Sequence, residues 1–138
     1  AANLNPARII DLATLTGACV VALGNTASGL MSNNDELTEQ LLSAGKRSTD
    51  RVWQLPLYDD YKDQVKSDVA DVKNVGAKNK AGAVSAGAFL SHFVGEQPWA
   101  HIDIAGPAYL DEDKMYLGKG ATGAGVRLLV DYLRHHNK

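Results

Sequence analysis

Apolar residues fall into short runs separated by Gly, Asn and Pro, and the runs alternate between the spacing of a strand and that of a helix. Ile9, Ile10, Leu12 and Ala13 form a run short enough for a buried strand. The chain then turns through Thr14, Leu15, Thr16 and Gly17 before "ACVVALG", which suits a short helix or a strand. "SGLMSN", Ser28 to Asn33, reads as a strand entering a turn. Asn33 or Asn34 can cap a helix in which Leu37, Leu41 and Ala44 recur at helical spacing, with Gly45 as its left-handed stop. "DRVWQLPL" is extended, because Pro56 removes a backbone donor and confines the segment to a sheet edge or a loop. "YDDYKDQVKSDVAD" has the spacing of an exposed helix, and Val72 to Gly82 is a loop crowded with Asn, Gly and Lys. Ala81 to Val94 reads as a helix carrying Gly82, Ala83, Ala86, Gly87 and Ala88; its glycines cost up to about 1 kcal/mol each in propensity, so packing must hold it. Trp99 to Gly106 reads as a buried strand. Val126 to His135 is an amphipathic helix with Val126, Leu129, Val130 and Leu133 on one face. Strands alternating with helices predict a layered α/β domain.

Composition narrows the class. The chain has 138 residues, 45% of them hydrophobic, which suits one ordinary domain, and neither a repeat nor a linker divides it. A net charge of −2 with scattered Lys and Arg gives no basic stripe, so nucleic-acid binding is not expected. The lone cysteine, Cys19, lies in an apolar run as a small buried hydrophobe, in keeping with a reducing, cytoplasmic compartment. Neither a signal peptide nor an apolar run long enough to span a membrane is evident. "AANLNP" resembles the frayed end of a helix stopped by Pro6, so Ala1 is not expected to be the natural start.

Reactive groups are sparse. His101 and Asp103 sit two apart in a strand and therefore face the same way, as a metal or acid/base pair requires. A metal needs three or four ligands, and hydrogen bonding at a sheet end is the plainer role. "GKGATGAG", Gly118 to Gly125, contains Gly-x-Gly-x-x-Gly, but no strong strand precedes it and no acidic residue follows at the right distance. A loop in which Thr122 or Gly123 starts the last helix is therefore expected in place of a nucleotide site. Lys78 and Lys80, like Asp59, Asp60 and Asp63, read as solvated charges. Thr14 and Thr16 have no general base beside them in sequence. What remains is a bare strand end, TLTG, whose exposed carbonyls and amides can bind a peptide group while Gly17 lets it approach.

"IIDLATLTGACVVALG", "SGLMSNN", "DRVWQLPL", "ADVKNVG", "AGAVSAGAFLSHFV", "WAHIDIAGPA" and "KGATG" occur in this order, and together they resemble the leucyl aminopeptidase family, cytosol aminopeptidases that use two divalent metal ions, manganese or zinc. The resemblance runs from about Ile9 to the end and implies a three-layer α/β/α sandwich with a mixed sheet, a cytoplasmic homo-hexamer, and peptide substrates. It also implies that this chain is the last quarter to third of such an enzyme. The family's metal ligands and catalytic arginine, two of the ligands lying in a DAEGR-type motif, have no counterpart here, so catalytic and metal residues are expected upstream. The TLTG turn implies that backbone groups of Leu15 and Gly17 bind the peptide. Thr14, Val75, Ala105 and Ala108 would line the first specificity pocket, roomier here because some relatives carry methionine in place of Ala108. Relatives usually follow "GATG" with Arg-Pro where this chain has Ala124 and Gly125, so contacts at that helix start are expected to differ. A free-standing, non-catalytic α/β domain for binding or assembly is the alternative reading.

Overall fold

A computed structural model describes residues 2–114 and 116–136; the expectation about Ala1 lies outside them. Four strands form one mixed sheet in the order β1-β4-β2-β3: β1 is Ile9–Ala13, β2 Ser28–Ser32, β3 Val52–Gln54 and β4 Trp99–Asp103. β1 runs parallel to β4, with Ala13 beside Asp103, and β2 runs antiparallel to β4 and parallel to β3. Strand alternation divides the side chains between two faces. Leu30, Ala100 and Ile102 point into a core completed by Leu37, Leu41 and Ala44 of α2 (Asp35–Ser48) and by Leu128 and Tyr132 of α5 (Val126–His136). Trp99, His101 and Asp103 point the other way, as does Met31, which packs on Gly87. That face is covered by α1 (Gly17–Leu23) and α4 (Gly82–Ser91), with short α3 (Asp59–Asp63) against α4. The result is a three-layer α/β/α domain with a mixed sheet. A small hairpin, β5 (Tyr109–Leu110) and β6 (Gly120–Ala121), follows β4.

Several elements differ from the sequence reading for identifiable reasons. All of β1 is half-buried rather than buried, because it is an edge strand. Asn34 caps α2 through Leu37 N–H as read, but Gly45 lies inside the helix, where its missing Cβ admits the Asp50 carbonyl and Val52; the left-handed stop is Thr49, φ 60°. The helix expected over Tyr58 to Asp71 closes after Asp63. Val65 turns fully inward there, through a bond from its N–H to the Lys62 carbonyl.

In α5, Leu128 and Tyr132 face the core, while Val126, Val130 and Leu133 are exposed. The two apolar stripes have the same spacing, and the choice falls to Tyr132, whose hydroxyl accepts from Arg8 Nη1 at 2.7 Å. That helix begins at Val126, not at Thr122 or Gly123. The Thr122 hydroxyl instead donates to the Pro107 carbonyl at 2.5 Å, tying the loop to the segment after β4. Buried Asp50 receives Gly125 N–H at 2.8 Å and Leu128 N–H at 3.3 Å. Gly125 has φ 90°, so a proline, fixed near −65° and without an N–H, could neither adopt that angle nor make that bond. The departure from Arg-Pro therefore coincides with a helix start built on Asp50.

Candidate functional site

β1 and β4 end side by side, and the loops that leave them meet at the edge where open α/β sheets bind ligands. The meeting is organised by Asp103, fully buried with no cation paired to it among the described residues. Its Oδ1 accepts from Leu15 N–H at 3.1 Å and Ala105 N–H at 3.1 Å, with Thr16 N–H at 3.5 Å, and its Oδ2 accepts from the Thr16 hydroxyl at 2.7 Å. Thr16 Oγ1 in turn accepts Cys19 N–H at 3.0 Å as the N-cap of α1. A buried carboxylate is tolerable only when its lone pairs are met in this way. The TLTG turn is thus pinned from beneath. The N–H of Leu15 is spent on Asp103, so the group Leu15 can offer a ligand is its carbonyl. Gly17 opens α1 with empty space where a Cβ would point.

The segment after β4 also fixes the other end of α1. Gly24 closes that helix at φ 62°, its N–H returning to the Val20 carbonyl. Gly106 packs so close beneath it that a Cβ there would fall 2.1 Å from the Gly24 oxygen. Residues 103–106 therefore hold α1 at both ends. Cys19 lies buried beside them, its thiol 3.7 Å from the Asp103 carbonyl oxygen; burial pushes the thiol's pKa up, and the nearby Asp103 charge adds to the shift.

His101 and Asp103 share a face as expected, yet do not bond to each other. His101 pairs with Asp11, a residue the sequence reading passed over: Nδ1 lies 2.5 Å from Asp11 Oδ1, and Trp99 Nε1–H donates to Asp11 Oδ2 at 2.6 Å. The register that sets Asp11 beside His101 across β1 and β4 makes this pairing. The metal pair that the resemblance implies finds no ligand set in these residues. Among the described residues no three His, Cys, Asp or Glu side chains converge. Asp103, Asp11 and His101 Nδ1 are taken up by the bonds above.

Of the residues singled out for substrate contact, Thr14, Leu15 and Gly17 stand together on the turn, and Ala105, bonded to Asp103, lies directly beneath it. Ala108 is half-buried further along the same loop, where its N–H returns to the Ile104 carbonyl. Val75 is 68% exposed on the 74–82 loop and lines a cleft of about 880 Å³ that reaches Leu15 and Thr16. Thr14, Gly17, Ala105 and Ala108 do not line that cleft, so the six residues are not gathered in one cavity. The glycine-rich "GKGATGAG" stretch carries a two-residue strand and a loop, without the strand-to-helix turn of a dinucleotide site.

Together these features define a three-layer α/β domain with a mixed sheet and a pinned, ligand-accessible turn at the carboxyl ends of two neighbouring parallel strands. Residues 1–130 match the model of the cytosol aminopeptidase family, catalytic domain. A probable cytosol aminopeptidase of Geotalea uraniireducens (strain Rf4) is 55% identical over 134 residues, covering 97% of this chain and 27% of that protein. One from Chloroherpeton thalassium (strain ATCC 35110 / GB-78) is 56% identical over 132 residues, covering 95% and 26%. The solved structure of a tomato leucine aminopeptidase mutant superposes with a TM-score of 0.86 at 42% identity, over 95% of this chain and 25% of that one. The chain belongs to the cytosol aminopeptidase family. It spans about a quarter of the length of the curated relatives it matches.

Proposed function

We propose that this chain is the carboxyl-terminal portion of the catalytic domain of a metal-dependent, leucyl-type aminopeptidase, and that it supplies the backbone that positions a peptide together with part of the pocket wall. The observation that carries the reading is the turn itself: Asp103 immobilises it from the buried side, while Gly17 has open space where a Cβ would point. A preset backbone edge orients a substrate at little entropic cost, and orientation is a large part of rate enhancement. Thr14, Ala105 and Ala108 would bound the first side-chain pocket, with Val75 facing from the neighbouring loop. On this reading the metal ligands and the catalytic residues lie outside residues 1–138, and the cytoplasmic hexamer belongs to the longer polypeptide. No helix among the described residues is long and apolar enough to cross a membrane.

Gly17→Val in the longer polypeptide tests the positioning role. A Cβ there meets nothing within 4 Å, so the substitution fills the space before the turn without a clash at its first carbon. The expected result is a fall of about tenfold or more in kcat/KM for leucine p-nitroanilide, the loss of roughly one good backbone contact to the substrate, with metal content unchanged. Loss of metal, or an unaltered kcat/KM, contradicts the role.

A further inference from the structure

The cleft that starts at Leu15 and Thr16 runs along α1 past Ala18, Val21 and Ala22 to the 74–82 loop and the first turns of α4. Close approaches set its walls: a Cβ on Gly82 would lie 2.9 Å from Ala18 Cβ, and one on Gly76 2.8 Å from the Ser85 side chain. Both glycines thereby hold the loop and α4 against their neighbours. The lining is mostly apolar, and its charged members are Lys78 and Lys80; among the described residues no carboxylate lines it. A turn carries the two lysines, with Lys80 N–H bonded to the Ala77 carbonyl at 3.2 Å and Asn79 between them at φ 59°. Neither lysine forms an ion pair among the described residues. Positive charge on the wall of a mostly apolar cleft focuses its field on whatever enters.

Resting on the aminopeptidase reading above, we infer that this cleft receives the part of the substrate downstream of the cleaved bond, and that Lys78 and Lys80 select peptides bearing a carboxylate in that part. Short peptides with a free carboxyl end meet that requirement, as do longer ones with an acidic side chain after the first residue. Two partly exposed charge pairs correspond to a preference of about five- to tenfold, expressed in KM.

The test uses the full-length polypeptide that carries these residues and compares Leu-Gly-Gly with Leu-Gly-Gly amide and Leu-Gly-Glu amide; leucine p-nitroanilide, which has no carboxylate, reports that the enzyme is assembled. The expected result is a KM about five- to tenfold lower for Leu-Gly-Gly than for its amide, a difference that shrinks in high salt. The double variant Lys78→Ala/Lys80→Ala removes that difference. Leu-Gly-Glu amide behaves like the free acid if charge alone is read and like the amide if the chain terminus is read; in both cases the double variant sets the result. Equal KM values in a wild-type enzyme that cleaves leucine p-nitroanilide overturn the inference alone, as does a preference that survives in the double variant. Failure of the wild type to cleave any of the four overturns the aminopeptidase reading.

Discussion

Asp103→Ala is expected to lower the melting temperature by about 10–20 °C, as measured by circular dichroism. The substitution removes one acceptor group and strands the N–H groups of Leu15 and Ala105 and the Thr16 hydroxyl in a setting where Asp103 itself has no solvent contact. Hydrogen bonds to a charged acceptor contribute about 1.5–3 kcal/mol each, and abandoned buried donors cost a similar amount. Partial rescue by water at the exposed turn brings the net to about 3–5 kcal/mol, a large share of a typical domain's stability of about 5–15 kcal/mol. Asp103→Asn is the informative control. Its amide oxygen can still accept from Leu15 and Ala105, but its NH₂ must face Thr16 Oγ1, which already accepts Cys19 N–H and would be left with an unpaired hydroxyl proton. A smaller loss, about 1–3 kcal/mol, is expected. An Asp103→Ala protein melting within 2 °C of wild type, about the effect of a minor surface change, would show that the turn is held by something else.

Gly106→Ala is expected to be comparably severe although it adds only one carbon. The new Cβ would sit 2.1 Å from the Gly24 carbonyl oxygen and 3.1 Å from its carbon. Both are backbone atoms at the capped end of α1, so no side-chain rotation relieves the clash. Overpacking in a core costs about 1–3 kcal/mol when side chains can adjust; with backbone as the obstacle the upper end, about 3 kcal/mol or more, applies. Because Gly106 and Asp103 grip opposite ends of one short helix, the two variants are also expected to share a symptom. Amide exchange in α1 should rise in both, ahead of exchange in β4, and equal protection of α1 in Gly106→Ala and wild type would refute the two-ended grip.

Local features were legible in the sequence because local physics sets them. Asn34 three residues before Leu37, the Pro56 that leaves β3 at the sheet edge, and the apolar run of β4 each carry their own signal. So did the TLTG turn, as a strand end with little reactive chemistry of its own. What could not be read was contact between distant residues of unremarkable type. Asp103 reaches Leu15 across 88 positions and His101 reaches Asp11 across 90; in sequence, Asp11 is only a polar interruption in an apolar strand. Asp50 reads only as the first residue of the extended segment that carries β3 and is in fact the acceptor for the start of α5. The stripes of α5 show the limit of periodicity, since Leu128 and Tyr132 recur with the same spacing as Val126 and Val130, and the partner surface, through Arg8, decides which one is buried.

The most direct measurement is the steady-state hydrolysis of leucine p-nitroanilide by the full-length polypeptide and, side by side, by residues 1–138 alone, each with added manganese and with chelator. Manganese-dependent, chelator-sensitive turnover confined to the longer polypeptide is the predicted result. Metal-dependent turnover by residues 1–138 alone, or none by either, would contradict the assignment of these residues to the substrate-positioning part of an aminopeptidase.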